Sequence, residues 1–335
     1  MVQDIVLNIL APVLLMVFLG AALRWKFRID INTLTKLNIY LFVPAFVFEK
    51  VSTSSLSWAA MGGIAAVTVL QVLVLGVVVF GIGRVLRTPQ KTLAAVAMAI
   101  MFYNSGNFGL PLAELAFGAD GAAAQALVLM AQNILTFTVG GAIAAMAGTG
   151  GLRRAMVTLI RLPFIPTLAA ALVAKWYLSA SPDHHLPKVI SETARFLSGG
   201  LVPIALVTLG AQLATNPRWP RWGPLSAVLA MRLLYAPVQM AVLLLLLHML
   251  VGNHPAAGAI MGGLDLWPWP AQLLILTAAV PTAVNTLLLT LELEGDAELA
   301  ADCVFWTTVL SCGTLALWLI ILRLPMVYGW AGFSH

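Results

Sequence analysis

Two short stretches of this sequence concentrate residues that hydrogen-bond without carrying charge. Asn104-Ser105-Gly106-Asn107-Phe108-Gly109-Leu110-Pro111 puts two asparagines, two glycines and a proline into eight residues, all poor helix formers. Val280-Pro281-Thr282-Ala283-Val284-Asn285 repeats the device nearer the C-terminus, and each stretch lies inside a long apolar run. An asparagine amide donates two N–H groups and accepts through its oxygen, so it suits a desolvated carboxylate without burying a cation. A half-helix beginning near Pro111 aims the positive end of its dipole inward, which favours an anion. The candidate substrate contacts are Asn104, Gly106, Asn107, Gly109 and Pro111 from the first stretch, and Pro281, Thr282 and Asn285 from the second. Gln132, Asn133 and Arg232 join them from neighbouring runs.

Each candidate also has a plainer reading. Proline kinks and small residues tune helix packing; the presence of a break in both halves of the chain favours a site. Arg232 lies about ten residues into its run, near mid-membrane by helix rise. It either neutralises an anion or pairs internally with a carboxylate or backbone carbonyls. Glu114 either carries a coupling proton or sits solvated near the outer interface. Gln132 and Asn133 either touch substrate or cross-link helices. Glu49, Glu192 and Arg195 lie near span ends, where snorkelling makes charge tolerable.

The elements that must carry these residues follow from composition. Of 335 residues, 61% are hydrophobic and only 9% charged, and the mean hydropathy is +0.97. An ordinary soluble domain carries roughly 25% charge, so the chain reads as an all-α polytopic membrane protein. Long continuous apolar runs argue against a β-barrel. Ten spans are predicted, at about 5–23, 32–51, 59–84, 90–117, 121–147, 163–180, 188–214, 223–251, 271–291 and 297–322. The net charge is +5, but the 18 basic residues are scattered in ones, twos and threes between the runs, which excludes a nucleic-acid partner and makes the lipid bilayer the expected one. Cys303 and Cys312 lie about 13 Å apart along one helix and cannot bridge. No cleavable signal peptide is expected before Ile5.

The odd-numbered connections hold 12 basic residues: Arg24, Lys26, Arg28, Lys36, Arg84, Arg87, Lys91, Arg153, Arg154, Arg161, Arg218 and Arg221. The even-numbered connections and the C-terminus hold 4: Lys50, Lys175, Lys188 and Arg323. The positive-inside rule then places both termini outside, in the cell inner (plasma) membrane. The acidic ninth connection, with Glu292, Glu294, Asp296 and Glu298, runs against this, but acidic residues count little in the rule. Trp25, Trp58, Trp176, Trp219, Trp222, Trp267, Trp269 and Trp330 fall at span ends and read as an interfacial belt.

Three marks recur in order in the two halves. Val43-Pro44 matches Val202-Pro203 at an offset of 159, Leu110-Pro111 matches Val280-Pro281 at 170, and Gly118-Ala119-Asp120 matches Glu294-Gly295-Asp296 near 177. Residues 1–150 and 151–335 are therefore expected to be two five-helix repeats, the second inverted in the membrane. Inverted repeats with matching broken helices are a signature of secondary transporters.

The stretch from Asn104 to Leu112 resembles the crossover motif of the auxin efflux carrier family. Leu209-Gly210-Ala211-Gln212-Leu213-Ala214 and Ala278-Ala279-Val280-Pro281-Thr282-Ala283-Val284-Asn285 are similar to that family too, and Arg232-Leu233-Leu234-Tyr235-Ala236-Pro237 resembles its eighth helix. The resemblance implies the ten-helix fold shared with bile-acid/sodium symporters, with helices 4 and 9 crossing at their breaks. It implies a scaffold of helices 1, 2, 6 and 7, a transport domain of helices 3–5 and 8–10, and a homodimer through helices 2 and 7. Asn104 matches the crossover asparagine. The family exports auxin in plants, and its bacterial members are associated with malonate, malate and related carboxylates. The long cytoplasmic loop of plant carriers is absent, and Arg161-Leu162-Pro163 stands where many members have Asn-Pro before helix 6.

The expected function is a secondary active carrier of small organic anions working by alternating access. A channel is the alternative. An intramembrane enzyme would need buried aspartate pairs, a Ser-His arrangement or His-Glu-x-x-His, and the sequence has none. It also has no Walker A motif. His184, His185, His248 and His254 form no metal-ligand grouping, so neither a metal nor another cofactor is expected.

Overall fold

The computed structural model describes residues 11–147, 163–181, 183–214, 220–253 and 262–322, with Leu7 and Val157. Arg153, Arg154, Arg161, Arg218, Arg323, Trp219, Trp330, His254 and both termini lie outside the described residues. Among those described, the chain is helical. It forms α1 (Ala11–Phe27), α2 (Ile31–Leu37), α3 (Val43–Ser52), α4 (Trp58–Val85), α5 (Gln90–Met101), α6 (Leu110–Leu135) and α7 (Gly141–Ala147). The second half forms α8 (Phe164–Ala180), α9 (Lys188–Leu213), α10 (Trp222–Ala230), α11 (Ala236–Asn253), α12 (Ala271–Ala278), α13 (Val284–Glu292) and α14 (Ala297–Leu322). Wider π-helical turns join α2 to α3, precede and follow α6, and join α10 to α11.

Six continuous helical stretches among the described residues are long and apolar enough to cross a membrane: Ile31–Ser52, Trp58–Val85, Ser105–Met146, Lys188–Leu213, Trp222–Val251 and Ala297–Leu322. The third runs for 42 residues, about 63 Å if straight and twice the hydrocarbon thickness. It does not run straight. Gly118 sits at φ 67° and ψ −154°, a left-handed conformation that glycine adopts without a Cβ clash, and it divides α6. In contrast, α5, α12 and α13 have 12, 8 and 9 residues. Each is too short to span alone.

Glycine sets the closest helix approach. A Cβ on Gly20 of α1 would strike the Val207 carbonyl, and one on Gly210 of α9 would strike the Val17 carbonyl. The two backbones therefore touch, as small residues permit in membranes. The tryptophans divide. Trp25, Trp58, Trp176 and Trp222 are exposed, as a belt requires. Trp267 and Trp269 instead pack against the core, Trp269 with its ring 5.2 Å from that of Phe117. This Trp-Pro-Trp-Pro segment leads directly into α12.

Candidate functional site

The helix that begins at Gln90 stops at Met101, where Phe102 turns extended (φ −114°, ψ 126°). The helix that begins at Ala271 stops at Ala278. The two interruptions lie antiparallel. The Asn104 N–H donates to Pro281 O at 2.8 Å, and the Ala283 N–H donates to Phe102 O at 3.1 Å, around an isolated bridge between Tyr103 and Thr282.

A break inside an apolar bundle frees carbonyls that must find partners. Thr282 Oγ1 donates to Ala99 O at 2.9 Å, and the Thr282 N–H donates to Thr307 Oγ1 of α14 at 3.0 Å. Arg232, 0% exposed, sends Nη1 to Ile100 O at 2.7 Å and Nη2 to Ala278 O, with its guanidinium 4.8 Å from the centre of the Tyr103 ring. The three carbonyl acceptors, Ala99, Ile100 and Ala278, sit at the C-terminal ends of half-helices. Beyond the first break, Asn104 Oδ1 accepts from the Asn107 N–H at 3.1 Å and caps the turn Ser105–Gly109, and Pro111 enters α6 where no N–H is needed.

Beside the crossing lies a cavity of about 240 Å³. Eight amide side chains line it: Asn32, Asn38, Asn104, Asn107, Gln132, Asn133, Gln212 and Asn285. Ser105, Thr35, Thr136 and Tyr103 add hydroxyls, and no Asp, Glu, Lys, Arg or His is among the lining residues. Two helix starts reach the cavity, at Ser105–Asn107 and at Ala283–Asn285, so the positive ends of two dipoles face it. The amides are partly cross-linked. Asn38 Nδ2 donates to Asn107 Oδ1 at 2.7 Å, and Asn285 Nδ2 donates to Asn133 Oδ1 at 3.2 Å. Asn104 Nδ2 and Asn133 Nδ2 are buried with no protein acceptor. A buried donor left unpaired costs about 1–3 kcal/mol, so both are poised for an acceptor that enters the cavity.

Of the sequence candidates, Asn104, Gly106, Asn107, Gln132, Asn133 and Asn285 meet at this cavity. Gly109, Pro111, Pro281, Thr282 and Arg232 are not among its lining residues; they shape and tie the breaks. A Cβ on Gly109 would strike Gln125 Nε2, the group that donates to Ser105 O at 3.1 Å, so glycine there lets Gln125 hold the turn. Sequence reasoning missed three of the eight amides, Asn32, Asn38 and Gln212, as cavity residues. An isolated amide in an apolar run was the available signal.

The cavity reaches Ile31 and the exposed Asn32 at the start of α2. Lys50, near the other end of the stretch Ile31–Ser52, is about 27 Å from Asn32 along the helix, and there the helices are joined by charge. Lys50 Nζ lies 2.9 Å from Glu114 Oε1 and 3.3 Å from Glu49 Oε2, and Ser198 Oγ donates to Glu49 Oε2 at 3.0 Å. Ser55 Oγ donates to Asp120 Oδ2 at 2.7 Å, and Lys175 Nζ donates to Ser54 O at 2.5 Å. This layer ties α3 and the loop after it to α6, α8 and α9. Glu114, expected either as a proton carrier or as a solvated group, is an ion-pair partner here.

Residues 5–319 match a family model described as membrane transport protein. Three relatives align along most of their length. A Rhizobium meliloti protein named "Putative malonate transporter" is 28% identical over 91% of this chain and 88% of its own. An uncharacterised transporter of Methanothermobacter thermautotrophicus is 26% identical over 88% of this chain and 89% of its own. An uncharacterised transporter of Methanocaldococcus jannaschii is 23% identical over 85% and 87%.

Proposed function

Since the chain belongs to the auxin efflux carrier family of membrane transport proteins, we propose that it is a secondary carrier of small carboxylates, malonate among them, working by alternating access. The observation that carries this reading is the neutral, amide-lined cavity at the crossing of two broken helices, with two buried N–H donors lacking acceptors. A carboxylate supplies those acceptors. Its charge is met by dipoles and amides, with no lysine or arginine among the lining residues. The volume of about 240 Å³ lies below the roughly 300–1,000 Å³ of sites for drug-sized ligands and suits a short-chain acid. The relative named for malonate supports that substrate class.

A carrier must open to one side at a time. The cavity reaches one end of the bundle, and the Lys50–Glu114 and Ser55–Asp120 contacts close the other. With basic connections inside, the reached end is cytoplasmic and the closed end faces outward, which gives an inward-open state. The same proposal includes ten spans, in which α5 with the first part of α6, and α12 with α13, each make one crossing of the membrane. The two halves are inverted repeats, and scaffold helices 1, 2, 6 and 7 pair in a homodimer through helices 2 and 7.

Uptake into proteoliposomes across a panel of mono- and dicarboxylates, with proton and sodium gradients varied independently, tests the reading. Saturable flux with counterflow is expected. Flux that rises linearly with concentration and shows no counterflow indicates a channel, and no carboxylate flux at all overturns the substrate class.

A further inference from the structure

Arg232 is the largest fully buried side chain described, and no Asp or Glu pairs with it among the described residues. A guanidinium without a counter-charge in a membrane interior is costly. Its partners are Ile100 O and Ala278 O, the carbonyl ends of α5 and α12. Each helix C-terminus carries about half a negative charge. Two meeting at one point amount to roughly one unit of negative charge, which a single arginine balances.

The balance matters because of what stands next to it. Arg232 stacks on one face of Tyr103, and Tyr103 also lines the cavity. The two negative helix ends are therefore about one aromatic ring from the space where a substrate anion would sit. Unbalanced, they would offset the two positive helix starts at Asn104 and Ala283.

We propose that Arg232 is the charge-balancing positioning residue of the site: without touching substrate, it neutralises the two half-helix C-termini behind Tyr103 and so gives the cavity its preference for anions. This rests on the reading that the cavity takes a carboxylate. The effect scales with ligand charge, because a unit charge about 10 Å away at an effective dielectric near 20 changes affinity about 10- to 20-fold per ligand charge. A residue that only held the helices together would weaken all ligands alike.

The test measures equilibrium binding of malonate, a dianion, and malonamate, its monoanionic half-amide, to full-length wild type, Arg232→Met and Arg232→Lys, with melting temperature recorded for each. Arg232→Lys keeps the charge but loses the forked double contact. The expected result is that Arg232→Met weakens malonate at least tenfold more than malonamate, while Arg232→Lys binds both within about fivefold of wild type despite a lower melting temperature. Equal losses for the two ligands, or a lysine variant as weak as the methionine variant, overturn the proposal. If Arg232→Met does not fold, the lysine variant decides alone: affinity kept while stability falls supports charge balancing, and affinity falling with stability overturns it. A wild type that binds neither ligand contradicts the carboxylate reading instead, so the two failures are distinct.

Discussion

At the first break, Asn104 turns its own side chain back to cap the Asn107 N–H, and a wide turn carries the chain into α6. At the second, Ala283 enters α13 extended (φ −67°, ψ 134°) with no side-chain cap on the helix start, and Thr307 of α14 holds the Thr282 N–H instead. Both breaks share the bridge between Asn104 and Pro281 and between Phe102 and Ala283; the first adds a side-chain cap from three residues away, and the second adds a bond to Thr307, 25 residues on. The difference teaches that matched breaks need not be equal in function. The self-capped one puts an orphaned donor, Asn104 Nδ2, at the cavity. At the other, the Asn285 amide is already engaged with Asn133.

The largest expected effect comes from removing that donor. Losing a hydrogen bond to a charged group costs about 1.5–3 kcal/mol, so Asn104→Ala should weaken substrate binding about 10- to 150-fold, measured by calorimetry or scintillation proximity. Equal losses at Asn104 and Asn285 would erase the asymmetry. Thr282→Val should act on stability rather than affinity. It removes the hydroxyl from Ala99 O, leaving a buried carbonyl unpaired, at a cost of about 1–3 kcal/mol; melting in detergent with and without ligand separates the two effects. Asn285→Ala should cost about 2- to 10-fold in affinity, the scale of one neutral hydrogen bond.

The smallest effect should come from pH. No lining residue other than the Tyr103 hydroxyl is ionisable. At the cavity mouth, Asp30 caps α2, and the Thr33 hydroxyl and the Asn32 N–H hold its carboxyl below the ordinary carboxylate value. A depressed folded-state pKa means that the cap's contribution is complete above the unfolded value near 4 and is lost as pH falls through the lower folded value. Affinity should therefore vary less than about threefold between pH 7 and 9, and wild type and Asp30→Asn should give parallel profiles in that window.

Much of this was legible in the sequence because it is local. Apolar runs marked helices, and Asn, Gly and Pro clustered inside two of them marked the breaks, whereas Pro203 with its neighbouring glycines lies inside the unbroken α9. Gly118, with its φ of 67°, falls at the junction between the fourth and fifth expected spans. The partners were not legible. Asn38 reaches Asn107 across 69 positions, and Arg232 reaches Ile100 across 132. No periodicity records a contact made by one side chain between distant helices. Arg232 could be placed at mid-membrane by helix rise, yet whether it met an anion or a carbonyl depended on where two other helices end. Lys50 and Glu114, 64 positions apart in sequence, were likewise separate span-end charges until the fold joined them.

The central claim is that a carboxylate is held at the first break by Asn104. Asn104→Asp tests it most directly, because aspartate is nearly isosteric and still accepts from the Asn107 N–H, so the turn remains capped, while the donor becomes a negative charge. Equilibrium binding of malonate to purified wild type and Asn104→Asp, with matched melting curves, is the measurement. The account predicts an affinity loss above about 100-fold with little change in melting temperature. A variant that binds malonate within about threefold of wild type would contradict it.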